Sequence, residues 1–96
     1  MRYFHRTSVS PAQVLEAAQR FFGPWLSPAE EGTRRRAWRG GTGHVTVTVR
    51  AEGGHYTLID VRTDQVGESE LDKLAKRFLA EVHRLGEPTH VVRGAY

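Results

Sequence analysis

Two stretches of this chain repeat apolar residues at intervals of three and four, the spacing of one helix face. The first stretch begins after Ser10. Ser10 and Gln13 match a capping box, in which each side chain bonds the other residue's backbone, and Pro11 suits a first helical turn. Gly23-Pro24 is a typical helix end. The pattern predicts a helix over residues 11–22.

The second stripe runs from Leu71 to Leu85 and is followed by Gly86 and Pro88. Acidic residues lie near its start and basic residues near its end, which complements the helix dipole. Either Gly67 or Ser69 is a suitable N-cap, so this pattern predicts a helix over about residues 69–85.

Between these stripes apolar and polar residues alternate, which is typical of half-buried strands. Strands are predicted at 34–39, 44–51 and 55–63, separated by glycine-rich turns, with a first strand over 2–8 and a short last one over 89–93. Ser27-Pro28-Ala29-Glu30 repeats the capping-box pattern and predicts one helical turn. Trp25 and Leu26, just before it, are expected to fill the edge of the core.

The register of the central hairpin follows from the alternation, because a one-residue slip moves every side chain to the other face. A three-residue turn over Glu52–Gly54 pairs Val47 with Ile59 and makes one face apolar. Gly54 is then expected to be left-handed at a bulge.

These elements predict one domain over residues 1–96 of the α+β class, in the order β-α-β-β-β-α. The strands are expected to form an antiparallel sheet, and both amphipathic helices are expected to pack on its valine-rich face. The other face then has no element to cover it.

The chain has 96 residues, no cysteine and a formal net charge of +3. The lack of cysteine excludes disulfides and thiolate chemistry and favours a cytoplasmic location. No apolar stretch reaches membrane-spanning length, so no membrane partner is expected. Residues 1–50 carry eight arginines and three carboxylates, which concentrates positive charge in that half.

No motif for catalysis, cofactor binding or metal ligation is found. The histidines, at positions 5, 44, 55, 83 and 90, have neither helical ligand spacing nor a nucleophile motif beside them. The glycines at 40, 41 and 43 join two strands, whereas a phosphate-binding loop leads from a strand into a helix. These patterns favour a non-enzymatic module without deciding whether the chain is an enzyme.

The leading hypothesis is an interaction module that associates with itself, as a homodimer, or with another protein, through the uncovered sheet face or a free sheet edge. Its candidate interface residues are Thr46, Thr48, Tyr56 and Leu58, with Trp38 as a further candidate.

The alternative hypothesis is binding of RNA or single-stranded nucleic acid on the same face, since basic residues hold phosphates while aromatic rings stack on bases. Its candidate contacts are Arg35, Arg39, His44, Arg50, Tyr56 and Arg62. A third possibility is a small-ligand pocket lined by Phe21, Phe22, Trp25 and Phe78.

Overall fold

The computed structural model describes residues 1–86. Along the chain its elements are β1 (Arg2–Thr7), α1 (Pro11–Phe22), β2 (Ser27–Glu31), β3 (Arg35–Gly40), β4 (Gly43–Glu52), β5 (Tyr56–Thr63) and α2 (Glu70–Gly86). The strands form one antiparallel sheet in the order β1-β5-β4-β3-β2. The α+β class is confirmed, and residues 1–86 contain one strand that was not predicted, β2. The strand predicted at 89–93 lies outside the described residues.

Both helices begin at caps that the sequence indicated. The Ser10 hydroxyl accepts from the Gln13 N–H at 3.3 Å, and the Gln13 side chain accepts from the Ser10 N–H at 3.4 Å. At α2 the choice left open by the sequence falls on Ser69, whose hydroxyl accepts from the Asp72 N–H at 3.1 Å. Neither helix within residues 1–86 has the length and apolar character that a bilayer crossing requires.

The helical turn predicted at Ser27-Pro28-Ala29-Glu30 is wrong, because this segment is the edge strand β2. It pairs with β3, with a bulge between Pro28 and Glu30. The segment forms a strand and not a helical turn because it pairs with the backbone N–H and C=O groups on one side of β3. One helical turn satisfies few backbone groups, whereas a paired strand satisfies many.

The turn between β4 and β5 confirms one part of the register prediction and corrects another. Gly54 is left-handed, with φ of +68°. Val47, however, pairs with Val61 and Val49 with Ile59, so the register differs by two residues from the prediction and the turn comprises residues 53–55. Because side chains alternate with a period of two, this shift leaves each residue on its predicted face.

The core lies between the helices and one face of the sheet, here called the inner face. The buried inner-face residues of β4 and β5 are Val45, Val47, Val49, Ile59 and Val61. Leu15, Ala18 and Phe22 of α1 and Ala75, Phe78 and Val82 of α2 belong to the same core cluster. Phe22 and Phe78 are fully buried and their ring centroids lie 5.2 Å apart, so they are core residues. The opposite side of the sheet is the outer face.

The two tryptophans have the opposite exposure to that expected: Trp38 is buried and Trp25 is exposed. Trp38 is 1% exposed on the inner face, and its indole N–H donates to the Gln19 side chain at 3.0 Å. It is therefore not part of the outer face. Trp25, expected to fill the core edge, is 69% exposed, while its neighbour Leu26 is buried as predicted. Both changes follow from long-range packing, which places Leu26 and Trp38 inside and Trp25 outside.

Candidate interaction surface

The outer face is defined by alternation along each strand and by pairing between strands. It carries Arg2, Phe4 and Arg6 on β1, Tyr56, Leu58, Asp60 and Arg62 on β5, His44, Thr46, Thr48, Arg50 and Glu52 on β4, Arg35, Ala37 and Arg39 on β3, and Glu30 on β2. All the candidate interface and nucleic-acid residues except Trp38 lie on this one face. The sequence analysis missed the contribution of β1, because β1 is far in sequence from its partner β5.

Asp60 lies at the centre of an arginine cluster. Arg2 binds it with two nitrogens, Nε at 3.2 Å from Oδ1 and Nη2 at 3.0 Å from Oδ2. Arg62 Nη2 is 3.3 Å from the same Oδ2 atom. One carboxylate therefore holds two guanidinium groups, and the cluster keeps a positive charge.

Glu52 likewise binds two arginines, at the other end of the strands. It accepts from Arg6 Nε and lies 3.5 Å from Arg50 Nη2. The Arg6 hydrogen bond holds the pKa of Glu52 below its ordinary value. Glu30 pairs with Arg35 at 3.4 Å. Six arginines and three carboxylates share this face, so its formal charge is +3.

The small and apolar residues of this face are less accessible than their pattern indicated. Thr46 is buried at 7% exposure, between Ala37 and Arg62 on the flanking strands. Thr48 and Leu58 are half-buried. Long arginine stems can cover such positions while their charged ends stay in water. Of the four interface candidates only Tyr56, 57% exposed, projects into solvent.

Phe4 is the second exposed aromatic ring of the outer face. It is 57% exposed, and the Arg2 guanidinium carbon lies 4.6 Å from the centre of its ring. This is the geometry of a cation–π contact. Phe4 therefore combines an accessible apolar surface with a fixed cation in the middle of an edge strand.

A polar cluster fastens the inner side of β1 to the start of α2. The Tyr3 hydroxyl donates to Asp72 Oδ1 at 2.5 Å, and Asp72 Oδ2 accepts from the Glu68 N–H at 3.2 Å. Lys76 Nζ lies 3.4 Å from the same oxygen. The Tyr3–Asp72 hydrogen bond lowers the pKa of Asp72 and raises that of Tyr3. The carboxylate thus stays charged and the phenol neutral, which suits a structural link.

Two of the histidines meet between β1 and α2. His5 faces α2, where its ring centre lies 5.9 Å from that of His83, and burial lowers the pKa of His5. His55 lies in the turn before β5 and His44 on the outer face. Within residues 1–86 no group of three or more His, Asp or Glu side chains is close enough to share a metal ion.

No protein-family model matches this chain, and neither does any curated protein sequence. A function for this chain is therefore inferred from the geometry of its surface.

Proposed function

We propose that this chain is an interaction module that pairs with a second copy of itself through the free edge of β1. The observation that carries the proposal is the difference between the two edge strands of the sheet. β2 has a proline, a bulge and two adjacent carboxylates, whereas β1 has neither proline nor bulge and its two arginines are paired with carboxylates.

The β2 edge is unsuited to another strand. Its sequence is Ser-Pro-Ala-Glu-Glu, and all five residues are exposed. Pro28 lacks an N–H group, the bulge beside Glu30 interrupts the ladder, and two carboxylates repel a similar strand.

The β1 edge is regular over six residues and pairs with β5 without a bulge. The Thr63 N–H donates to the Met1 carbonyl at 2.8 Å, so residues 1 and 63 form a hydrogen-bonded pair. In an antiparallel ladder every second residue bonds the same neighbour. Tyr3, His5 and Thr7 therefore bond β5, and the backbone groups of Arg2, Phe4 and Arg6 point away from it. Within residues 1–86 no strand pairs with that side.

Antiparallel pairing of two β1 strands gives the most backbone bonds when Phe4 lies opposite Phe4 of the second copy. Arg2 then lies opposite Arg6, and the two five-stranded sheets become one. Two-fold symmetry of this kind is the commonest arrangement of homodimers. Two phenyl rings would meet across the axis, and aromatic pairs across strands stabilise a sheet by roughly 0.2–1 kcal/mol. Asp60 and Glu52 offset the repulsion between the arginines.

Pairing through the outer face itself is disfavoured. A symmetric face-to-face dimer would bring two surfaces of charge +3 together and remove arginine–carboxylate pairs from water. The cost of burying such pairs often exceeds their attraction. The edge arrangement leaves these pairs at the surface.

Sedimentation velocity over a concentration series tests the proposal. The native chain should pass from monomer to dimer at a concentration on the order of 100 µM or below, an affinity of about 5–6 kcal/mol. Phe4→Lys should keep the chain monomeric throughout the series, because a lysine at the centre of the edge is a natural block to pairing.

Ala29→Lys is the matched control, since it adds the same side chain to the opposite edge strand. It should dimerise like the native chain. A native chain that is monomeric throughout, or a Phe4→Lys variant that still dimerises, would contradict the proposal. Circular dichroism verifies that both variants are folded.

A second candidate function is favoured by the charge of the outer face together with its two exposed rings, Phe4 and Tyr56. Guanidinium groups beside accessible aromatic rings on a sheet are the usual combination for single-stranded nucleic acid. Stacking of one base on Tyr56 would contribute about 1–3 kcal/mol.

Titration of a labelled single strand at two salt concentrations tests this second function. Binding should weaken with salt, with a logarithmic slope of about −0.7 for each phosphate contact. Tyr56→Ala and Arg50→Ala should both weaken it. Binding that is equal in both variants and in the native chain would exclude this face as the site.

A further inference from the structure

Trp25 forms one wall of an open cavity beside the first half of α2. The cavity has a volume of about 400 Å³, and its other apolar lining residues are Leu71 and Leu74. Small-ligand cavities of proteins occupy roughly 300–1,000 Å³ and are mainly apolar, with a few polar groups. This cavity lies away from β1 and from the outer face, so it is independent of both functions proposed above.

The Trp25 ring is exposed on a backbone that is held in place. The N–H groups of Trp25 and Leu26 both donate to the Phe22 carbonyl, at 3.0 and 2.9 Å. Leu26 is buried in the core, whereas Trp25 is 69% exposed. The indole is therefore an accessible flat surface carried on a backbone that hydrogen bonds hold in place.

Two cations stand on the rim of the cavity. Lys73 and Arg77 are four residues apart on α2, so they lie on the same side of the helix as Glu70 and Leu74. Within residues 1–86 neither cation has a carboxylate within 4.0 Å. Glu70 lowers the formal charge of the rim to +1, which suits a single anionic group.

We infer that this cavity binds a small planar aromatic compound that carries one anionic group. Its ring stacks on Trp25 beside the half-buried Leu74, and its anionic group lies between Lys73 and Arg77. Two cations at this spacing on a helix repel each other, and a bound anion removes that repulsion.

The experiment uses the ¹⁵N-labelled full chain with naphthalene-2-sulfonate as the probe and the neutral 2-naphthalenemethanol as its comparator. The indole N–H signal of Trp25 should shift and saturate. The signal of Trp38 should not move, because that indole is buried and bonded to Gln19. The sulfonate should bind about 5-fold or more tightly than the alcohol, since exposed cations favour an anion by about 1 kcal/mol.

Two variants and a matched control separate the contributions of ring and charge. Trp25→Ala should weaken sulfonate binding about 10-fold or more, because it removes the stacking surface. The double variant Lys73→Gln/Arg77→Gln should lower sulfonate affinity to that of the alcohol. Arg20→Gln/Arg34→Gln removes the same charge from exposed positions elsewhere and should bind like the native chain.

Three results would overturn the inference. They are a Trp25 shift that never saturates, equal affinity for sulfonate and alcohol, and unchanged binding in Trp25→Ala. Each variant changes exposed side chains, and a thermal melt verifies its folding.

Discussion

The two edge strands of the sheet are attached to the protein in different ways. β1 is joined to β5 along its whole length and to α2 by the Tyr3–Asp72 hydrogen bond. β2 pairs with β3 across a bulge and is preceded by a single buried anchor, Leu26. Within residues 1–86 no strand covers the outer side of the firmly attached edge, whereas the weakly attached edge carries proline and glutamates. Protection against pairing is thus found in the side chains of an edge strand and not in its rigidity.

The largest expected effect comes from removing the anchor of β2. Leu26→Ala should lower the free energy of unfolding by about 2–5 kcal/mol, the usual cost of truncating a buried leucine. Urea denaturation measures it, with Trp25→Ala as the control, which should cost less than about 1 kcal/mol because that side chain is exposed. In the absence of urea, folded Leu26→Ala should dimerise with the same affinity as the native chain. A loss of dimerisation would place the interface at β2 instead.

Proline substitutions in β1 distinguish the two sides of that strand. His5→Pro removes an N–H that bonds β5 and leaves a carbonyl unpaired, so it should lower stability by about 1–3 kcal/mol. Phe4→Pro removes an N–H that points away from β5, so it should abolish dimerisation at a smaller cost in stability. Thermal denaturation and sedimentation measure the two effects. Equal destabilisation by both variants would refute the assigned alternation.

The attachment of β1 should depend on pH at both extremes. Asp72 has a lowered pKa, so its contribution is present above its ordinary value of 3.8 and is lost as the pH falls further. Tyr3 has a raised pKa, so the same bond stabilises the protein below 10.0 and is lost as the pH rises beyond it. Unfolding of Tyr3→Phe, followed from acid to alkaline pH, should show a smaller loss at each extreme than the native chain. Identical profiles would show that the bond is not responsible.

The smallest expected change in stability separates the two proposed functions. Asp60→Asn removes the ion pairs with Arg2 and Arg62 at the protein surface, which should lower the free energy of unfolding by about 0–1 kcal/mol. It also raises the charge of the outer face by one. Self-association should weaken a few-fold, because Arg2 and Arg6 repel more strongly across the dimer axis. Single-strand binding should strengthen instead. Sedimentation measures the self-association of this variant, and titration measures its single-strand binding. Stronger self-association would contradict the β1 pairing, and weaker single-strand binding would contradict the second function.

Local signals in the sequence predicted the helices well. Ser10, Gln13 and Pro11 identified the start of α1 because a cap involves residues only three positions apart. Ser69 and Gly67 were equally suitable caps for α2, and the structure selects Ser69 through its bond to Asp72. The face of each residue in β4 and β5 was also correct, since alternation survives the two-residue difference in register.

In β4 and β5 the alternating pattern by itself determined which side chains face the helices and which face away, since that division depends only on residue parity along a strand. The tertiary structure decided the remainder: the added strand β2, the position of β1 beside β5, the burial of Trp38 and the exposure of Trp25. It also decided which arginines share Asp60 and Glu52. These features depend on partners distant in sequence, and the free energy of pairing with such partners is not encoded in any local pattern.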